Sequence, residues 1–281
     1  MFLGFFPVLR LETLKGKVNL YTPAAKHNTD TLLSSILEVL GSGHILDEMS
    51  KFRLLKEADN QVKPEVSLCL KALIYTASNE REQAKKHALE SLKYISEPAT
   101  LSNCLQVLQI NAYSITLLEN VDLCLNYFER PDFISSFGSA LCSFPNIFHT
   151  SLMIESLDKM ELIKQHKDLY MYCSSFIETA EEAANKFSLD KGTYAVISKI
   201  AAAVAEHSSA VINNAEMCIP PESDWVSLVF FVESKDIGQL FDMNSQLVEH
   251  VVDAELDTLP MVVRFEPLEP SSTRIVDNYG S

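Results

Sequence analysis

Residues 64–98 read PEVSLCLKALIYTASNEREQAKKHALESLKYISEP, and the rest of the chain is read outward from them. Val66, Cys69, Leu70, Leu73 and Ala77 recur at steps of three and four, the spacing of one helix face. Ala84, Ala88, Leu92 and Ile95 repeat that spacing after a polar break at Ser78-Asn79. The stretch is therefore expected to form two helices joined by a tight turn. Asn79 is expected to cap the second helix, with Glu82 at the capping-box position three residues on. Both apolar stripes are too wide to be left in water, so the pair must pack against further helices.

Upstream, Leu32, Leu33, Ile36, Leu37 and Leu40 make one helical face, ended by Gly41 and Gly43. A second helix is expected over residues 44–58, with Ile45, Met49, Phe52 and Leu55 in phase. Downstream, residues 99–119 and 121–129 read as another pair, closed by Pro131. Helices are expected over about 147–163, 166–187 and 191–214. The last is rich in Ala and Ser and is expected to be central and tightly packed.

The texture changes at both ends. FFPVLRL and KVNLYTP, within residues 1–23, are β-prone. After residue 214, CIPPESD reads as a linker and WVSLVFFV (225–232) as a strand. A helix follows over 235–255, with Ile237, Leu240, Phe241, Leu247, Val248 and Val251 as its apolar side. MVVRF (261–265) is a second strand, and a strand-helix-strand unit permits a parallel pair. The expected fold is mainly α. Stacked helical hairpins, solenoid-like or bundled, fill residues 29–214. A small acidic α/β domain occupies 215–270. A β-prone segment (1–28) is a candidate to join its sheet, and 271–281 form a frayed tail.

The 281 residues carry a net charge of −15, and no Lys/Arg cluster marks a nucleic-acid binder. From Glu216 onward there are 13 acidic and 3 basic residues, so the terminal domain holds ten of the fifteen excess negative charges. That field leaves open a basic protein partner. Cysteines 69, 104, 124, 142, 173 and 218 include no Cys-x-x-Cys and no Cys-His cluster, so no metal or cofactor is expected. Scattered cysteines in apolar helical patterns are expected to be reduced, as in the cytoplasm. MFLGFFPVLRLETLK has no basic n-region and is not expected to be a signal peptide. Lys199, Glu206 and His207 interrupt the most apolar helix, so no membrane span is expected.

Residues 64–98 resemble a tetratricopeptide repeat, a helix-turn-helix unit that stacks into a concave surface. Leu68, Ala72 and Tyr75 fall at its large, small and aromatic positions, and Ala84, Ala88 and Ser91 at its second-helix packing positions. The usual first Trp is absent, Ala72 replaces the signature Gly, and Ala88 stands where an aromatic is common. Gly43, Asn79 and Asn120 are candidate turns 36 and 41 residues apart. The resemblance implies a scaffold that holds a protein partner.

Arg81 and His87, within REQAKKH, resemble the Arg-x(4–6)-His motif of the helical HEPN ribonucleases. That resemblance implies RNA cleavage, with His as acid or base and Arg on the phosphate. Glu82 follows the Arg where those families often carry an Asn-like residue, and a carboxylate there repels phosphate. Ser156 and Lys159 match Ser-x-x-Lys without its partner motifs. The acidic run at Asp253, Glu255 and Asp257 is the candidate partner-binding cluster. A non-catalytic interaction scaffold is the leading reading. A HEPN-type ribonuclease and a structural subunit of a larger assembly are the alternatives.

Overall fold

The structure, a computed structural model, describes residues 23–94, 96–127, 130–234 and 236–268. The β-prone expectation for residues 1–22 and the tail from residue 269 lie outside the described residues.

Among the described residues the chain forms eleven α-helices and a three-stranded sheet. The helices are α1 (Pro23–Ser42), α2 (Glu48–Asp59), α3 (Pro64–Ala77), α4 (Arg81–Leu92), α5 (Pro98–Ile110), α6 (Ser114–Val121), α7 (Pro131–Ser143), α8 (Ile147–Lys159), α9 (Lys167–Phe187), α10 (Thr193–His207) and α11 (Ile237–Asp253). A 3-10 helix spans Asp122–Tyr127, where the sequence suggested an α-helix over 121–129. The strands are β1 (Ile212–Cys218), β2 (Val226–Val232) and β3 (Met261–Pro267).

Helices α1, α3, α5 and α7 stack in a row, with α2, α4 and α6 turning back between them. Strand β1 packs on α7 and takes the next place in that row. The stack of hairpins thus runs directly into the sheet. Helix α3 explains why its sequence organises the chain. Val66, Cys69, Leu70, Leu73 and Ala77 are buried as expected, and so are Ala72 and Ile74 on the remaining sides. A helix that is apolar nearly all round needs neighbours all round, and α3 packs on α1, α2, α4 and α5. Across the turn, Ala84, Ala88 and Leu92 are buried against it, and Ser91 Oγ donates to the Glu65 carbonyl at 2.8 Å.

The sheet order is β1-β2-β3, with β1 antiparallel and β3 parallel to β2. Phe230 and Phe265 are register partners with ring centroids 5.9 Å apart. One continuous core joins Leu73 and Leu108 of the stack to Phe230 and Phe265 of the sheet.

Side chains bond part of each outer edge of the sheet. On β1, Ser143 Oγ donates to the Asn213 carbonyl (3.1 Å) and Tyr172 to the Ala215 carbonyl (3.2 Å). Gln109 Nε2 donates in turn to Ser143 Oγ, tying α5, α7 and β1 together. On β3, the Asn244 amide of α11 takes both backbone groups of Phe265, accepting from its N–H at 2.8 Å and donating to its carbonyl at 3.1 Å. Such contacts blunt strand edges that would otherwise pair with another chain.

Several boundaries depart from the sequence reading, and one device explains most of them. Asn79, Ala112, Glu161, Ser209 and Glu255 all have φ between 54 and 59°. Each sits two residues past a helix end. In each case its own N–H bonds the carbonyl three back, and the next N–H bonds the carbonyl five back, as in Tyr113 N to Leu108 O at 2.9 Å. This is the Schellman arrangement, usually built with Gly. Asn79 therefore ends α3 rather than capping α4, and the capping box with Glu82 does not form; the α4 N-cap position is Glu80. Ala112 splits the expected helix 99–119 into α5 and α6, so the turn falls there and not at Asn120. Ser209 ends α10, and the residues read as its last turns become β1. The sheet thus begins at Ile212, ahead of the expected boundary at 215. INNAEMC has little of the β-branched or aromatic character that marks a strand. Helix α1 begins at Pro23 rather than near Asp30, with proline's fixed φ suiting the first turn.

Two stability outcomes follow. Leu73→Ala should lower the unfolding free energy by about 2–5 kcal/mol in urea titration, because the site is enclosed on several sides. Glu161→Gly should be neutral to stabilising by up to about 1 kcal/mol, since glycine removes the left-handed penalty at an exposed position. A clear loss would show that the α8 end is built differently.

Candidate functional site

Arg81 and His87 are not brought together. Six residues along a helix place them about 120° apart around its axis. The Arg81 guanidinium donates to the Asn111 carbonyl (Nε, 3.0 Å) and lies over the Tyr113 ring at 5.3 Å. His87 stacks on Tyr75, with centroids 5.2 Å apart and planes 3° from parallel. Desolvation lowers the His87 pKa, with Lys71 and Lys86 adding to the effect. Each residue is thus committed to a separate packing contact.

Beside Arg81 lies a polar cluster that the sequence did not announce. Tyr113 is overlain by Arg81 and by Lys85, whose Nζ is 4.3 Å from the ring centroid. Its hydroxyl donates to Glu82 at 2.7 Å. Desolvation, and then the Glu82 carboxylate, push the Tyr113 pKa up to about 12. Glu206, from the last turn of α10, accepts from the Ile115 and Thr116 amides at 2.9 and 3.1 Å and from Lys85 Nζ at 3.2 Å. The N-cap position of α6 is Tyr113, whose own side chain makes no capping bond. Glu206 supplies that cap from another part of the chain, where a negative charge also meets the positive end of the helix. These groups are spent on one another and join α4, α6 and α10.

The acidic cluster picked out by the sequence lies at the C-terminal unit. Asp253, Glu255 and Asp257 are all exposed, at the end of α11 and in the turn after it. Helix α11 packs through Leu240, Met243, Leu247 and Val251. The sequence placed Ile237, Phe241 and Val248 on that same side, and the structure does not. Ile237 is 84% and Phe241 70% exposed, and Val248 and Val252 share their face. Positions 237, 241, 248 and 252 form one row along the helix, turned about 100° from the packed side. Asp242, Glu249 and Asp253 form a second row bordering it, all exposed and in no ion pair among the described residues. The sequence signal was present, since the apolar positions of α11 outnumber those one buried face can hold.

A second apolar face is exposed on α2. The sequence grouped Ile45, Met49 and Phe52 with Leu55 as a buried side. Met49 is 80% and Phe52 69% exposed, while Leu54 and Ala58 are the buried pair.

Among the described residues no group of His, Cys, Asp or Glu is placed to hold a metal ion, and no helix is long and apolar enough to cross a membrane. Cys69, Cys104 and Cys173 are free and buried. The fold and these surfaces define a stack of helical hairpins closed by a small acidic α/β unit. No family model, curated protein or solved structure matches the chain.

The His87 contact has a pH consequence. Its folded pKa lies below the ordinary value of 6.5, so the unfolded chain binds the proton more readily. Its contribution is complete above about pH 6.5 and is lost as pH falls through the folded pKa. His149 is lowered in the same direction by burial. Unfolding free energy should fall between about pH 7 and 5. The fall should be smaller in His87→Gln, and an unchanged pH slope would exclude His87 as a contributor.

Proposed function

We propose that the protein is a non-catalytic scaffold that holds a protein partner at its acidic C-terminal unit. One observation carries this reading: α11 exposes an apolar row beside a row of carboxylates, in no ion pair among the described residues, that continues to Asp253, Glu255 and Asp257. Interfaces of this kind take affinity from desolvated apolar anchors, here Phe241 and Ile237. They take orientation and encounter rate from the charged border. A partner that fits presents a basic helix with an apolar side.

The stacked hairpins give the surface a rigid base, in keeping with the tetratricopeptide-like reading of residues 64–98. The buried free thiols support a reducing, cytoplasmic setting. The commitment of Arg81 to a backbone carbonyl and of His87 to an aromatic stack weighs against the ribonuclease reading.

Reversal of Asp253, Glu255 and Asp257 to Lys tests the proposal by stopped-flow association with a basic partner helix. Association should slow more than dissociation speeds up, because exposed charges act mainly on encounter. The wild-type rate should fall as salt is raised, with screening at about 8 Å under physiological conditions. An on-rate indifferent to both salt and charge reversal would remove the electrostatic role.

A further inference from the structure

We infer that residues 271–281 of the same chain lie over the apolar row of α11 and compete with a partner for it. Such a cover, which rests on the reading of α11 as a docking surface, gives that surface its own competitor.

The row is turned toward the outer edge of β3. Asn244 lies about 20° from Ile237 around the helix axis, between the row and the packed side. Its amide bonds both outward backbone groups of Phe265. The other flank of α11 is taken by α10, where Gln239 Nε2 donates to the Ser208 carbonyl at 2.7 Å. On the β3 side, Ile237, Phe241, Val248 and Val252 stay exposed among the described residues.

The described chain ends beside that row. Pro267 of β3 is the register partner of Val232, and the Leu268 N–H donates to the Val232 carbonyl at 2.9 Å. Val232 closes β2, and Ile237 opens α11 after a short loop. The following residues therefore leave the sheet at the end of α11 that carries Ile237 and Phe241. The ladder position two residues on is Pro270, which has no N–H to continue the pairing.

Residues 269–281 read EPSSTRIVDNYGS. Ile275, Val276 and Tyr279 supply apolar surface, and Arg274 is a cation beside them. Leu268 to Ile275 spans about 25 Å of extended chain, and Ile237 to Val252 about 22 Å of helix. Ile275 and Tyr279 can thus reach Phe241 and Val248, with Arg274 close to Asp242 and Glu249. So short a tether holds the segment at an effective concentration on the order of millimolar, and a free partner must displace it. Residues 1–22 instead enter at α1, which packs on α2 and α3 at the other end of the stack. A second copy of α11 would set like-charged rows together.

The test uses the full chain with p-benzoylphenylalanine in place of Phe241. Irradiated at low concentration as an equal mixture of light and heavy isotope forms, it should cross-link to the tryptic peptide 275–281 of its own chain. Ile275→Asp with Tyr279→Asp should remove that product while leaving the circular dichroism unchanged. In fluorescence anisotropy, a Lys-rich amphipathic helical peptide should bind this double variant at least about threefold tighter than wild type, because the covered fraction no longer opposes it.

No cross-link into 275–281 overturns the inference, and so does a product that joins residues 1–22 or one that mixes light and heavy chains. Equal peptide affinity in wild type and double variant overturns it as well. If the cross-link is absent but the peptide binds, and Phe241→Lys with Val248→Lys abolishes that binding, the docking surface stands and its cover falls. If the peptide binds neither form, both readings fall.

Discussion

The carboxylate of Glu206 holds together elements that no local interaction could join. Helix α6 has eight residues, too few to be stable alone in water. Its own N-cap position contributes no side-chain bond, so its first-turn amides would be left without partners. Glu206 accepts from two of them and also pairs with Lys85 of α4. At the end of α10 this carboxylate lies at the negative pole of its own helix, an unfavourable place. The contact at α6 offsets that cost. The row of α1, α3, α5 and α7 is held by burial, but the returning helices are short and more polar. Polar locks of this kind fix where they sit, and Tyr113, held between Arg81, Lys85 and Glu82, is part of the same lock.

Burial and polar contacts divide the work differently at the two ends of the molecule. In the stack, α3 supplies apolar surface on every side and needs little direction. In the sheet, three strands are few, and two of them are edges. Ser143, Tyr172 and Asn244 bond the outward carbonyls, and Asn244 also the outward N–H of Phe265. The Gln109–Ser143–Asn213 chain makes the β1 edge continuous with the packing of α5 on α7. The α/β unit is thereby an extension of the helical stack, sharing its core.

Much of this was legible in the sequence. The periodicity of residues 64–98 located a deeply buried helix, and WVSLVFFV and MVVRF located two parallel strands. Helix ends were poorly legible, for one reason. The chain has only 8 glycines, and it turns its helices through Asn, Ala, Glu and Ser in the left-handed region. No residue type at Ala112 or Ser209 announces a stop, so helices ran on in the reading. That over-extension also hid β1, whose polar sequence lies in the shadow of α10. The candidate surface was legible by charge, since Asp253, Glu255 and Asp257 are exposed as expected. Its apolar part was misread, because spacing alone assigns apolar residues to one face. Phe241 and Leu247 differ by about 120° around α11, and only the packing of α10 and β3 decides which one is covered.

That misreading bears on what the acidic excess is for. If the negative charge of the terminal unit served only solubility, its position relative to apolar surface would be immaterial, and a spread over the whole molecule would serve as well. Instead ten of fifteen excess charges fall within the last 66 residues. Three of the carboxylates run along α11 directly beside its exposed row. An apolar row beside free carboxylates repels its own copy in the same orientation. It accepts an apolar row bordered by cations. Such a charged border, more than the size of an apolar row, separates a directed contact from general stickiness.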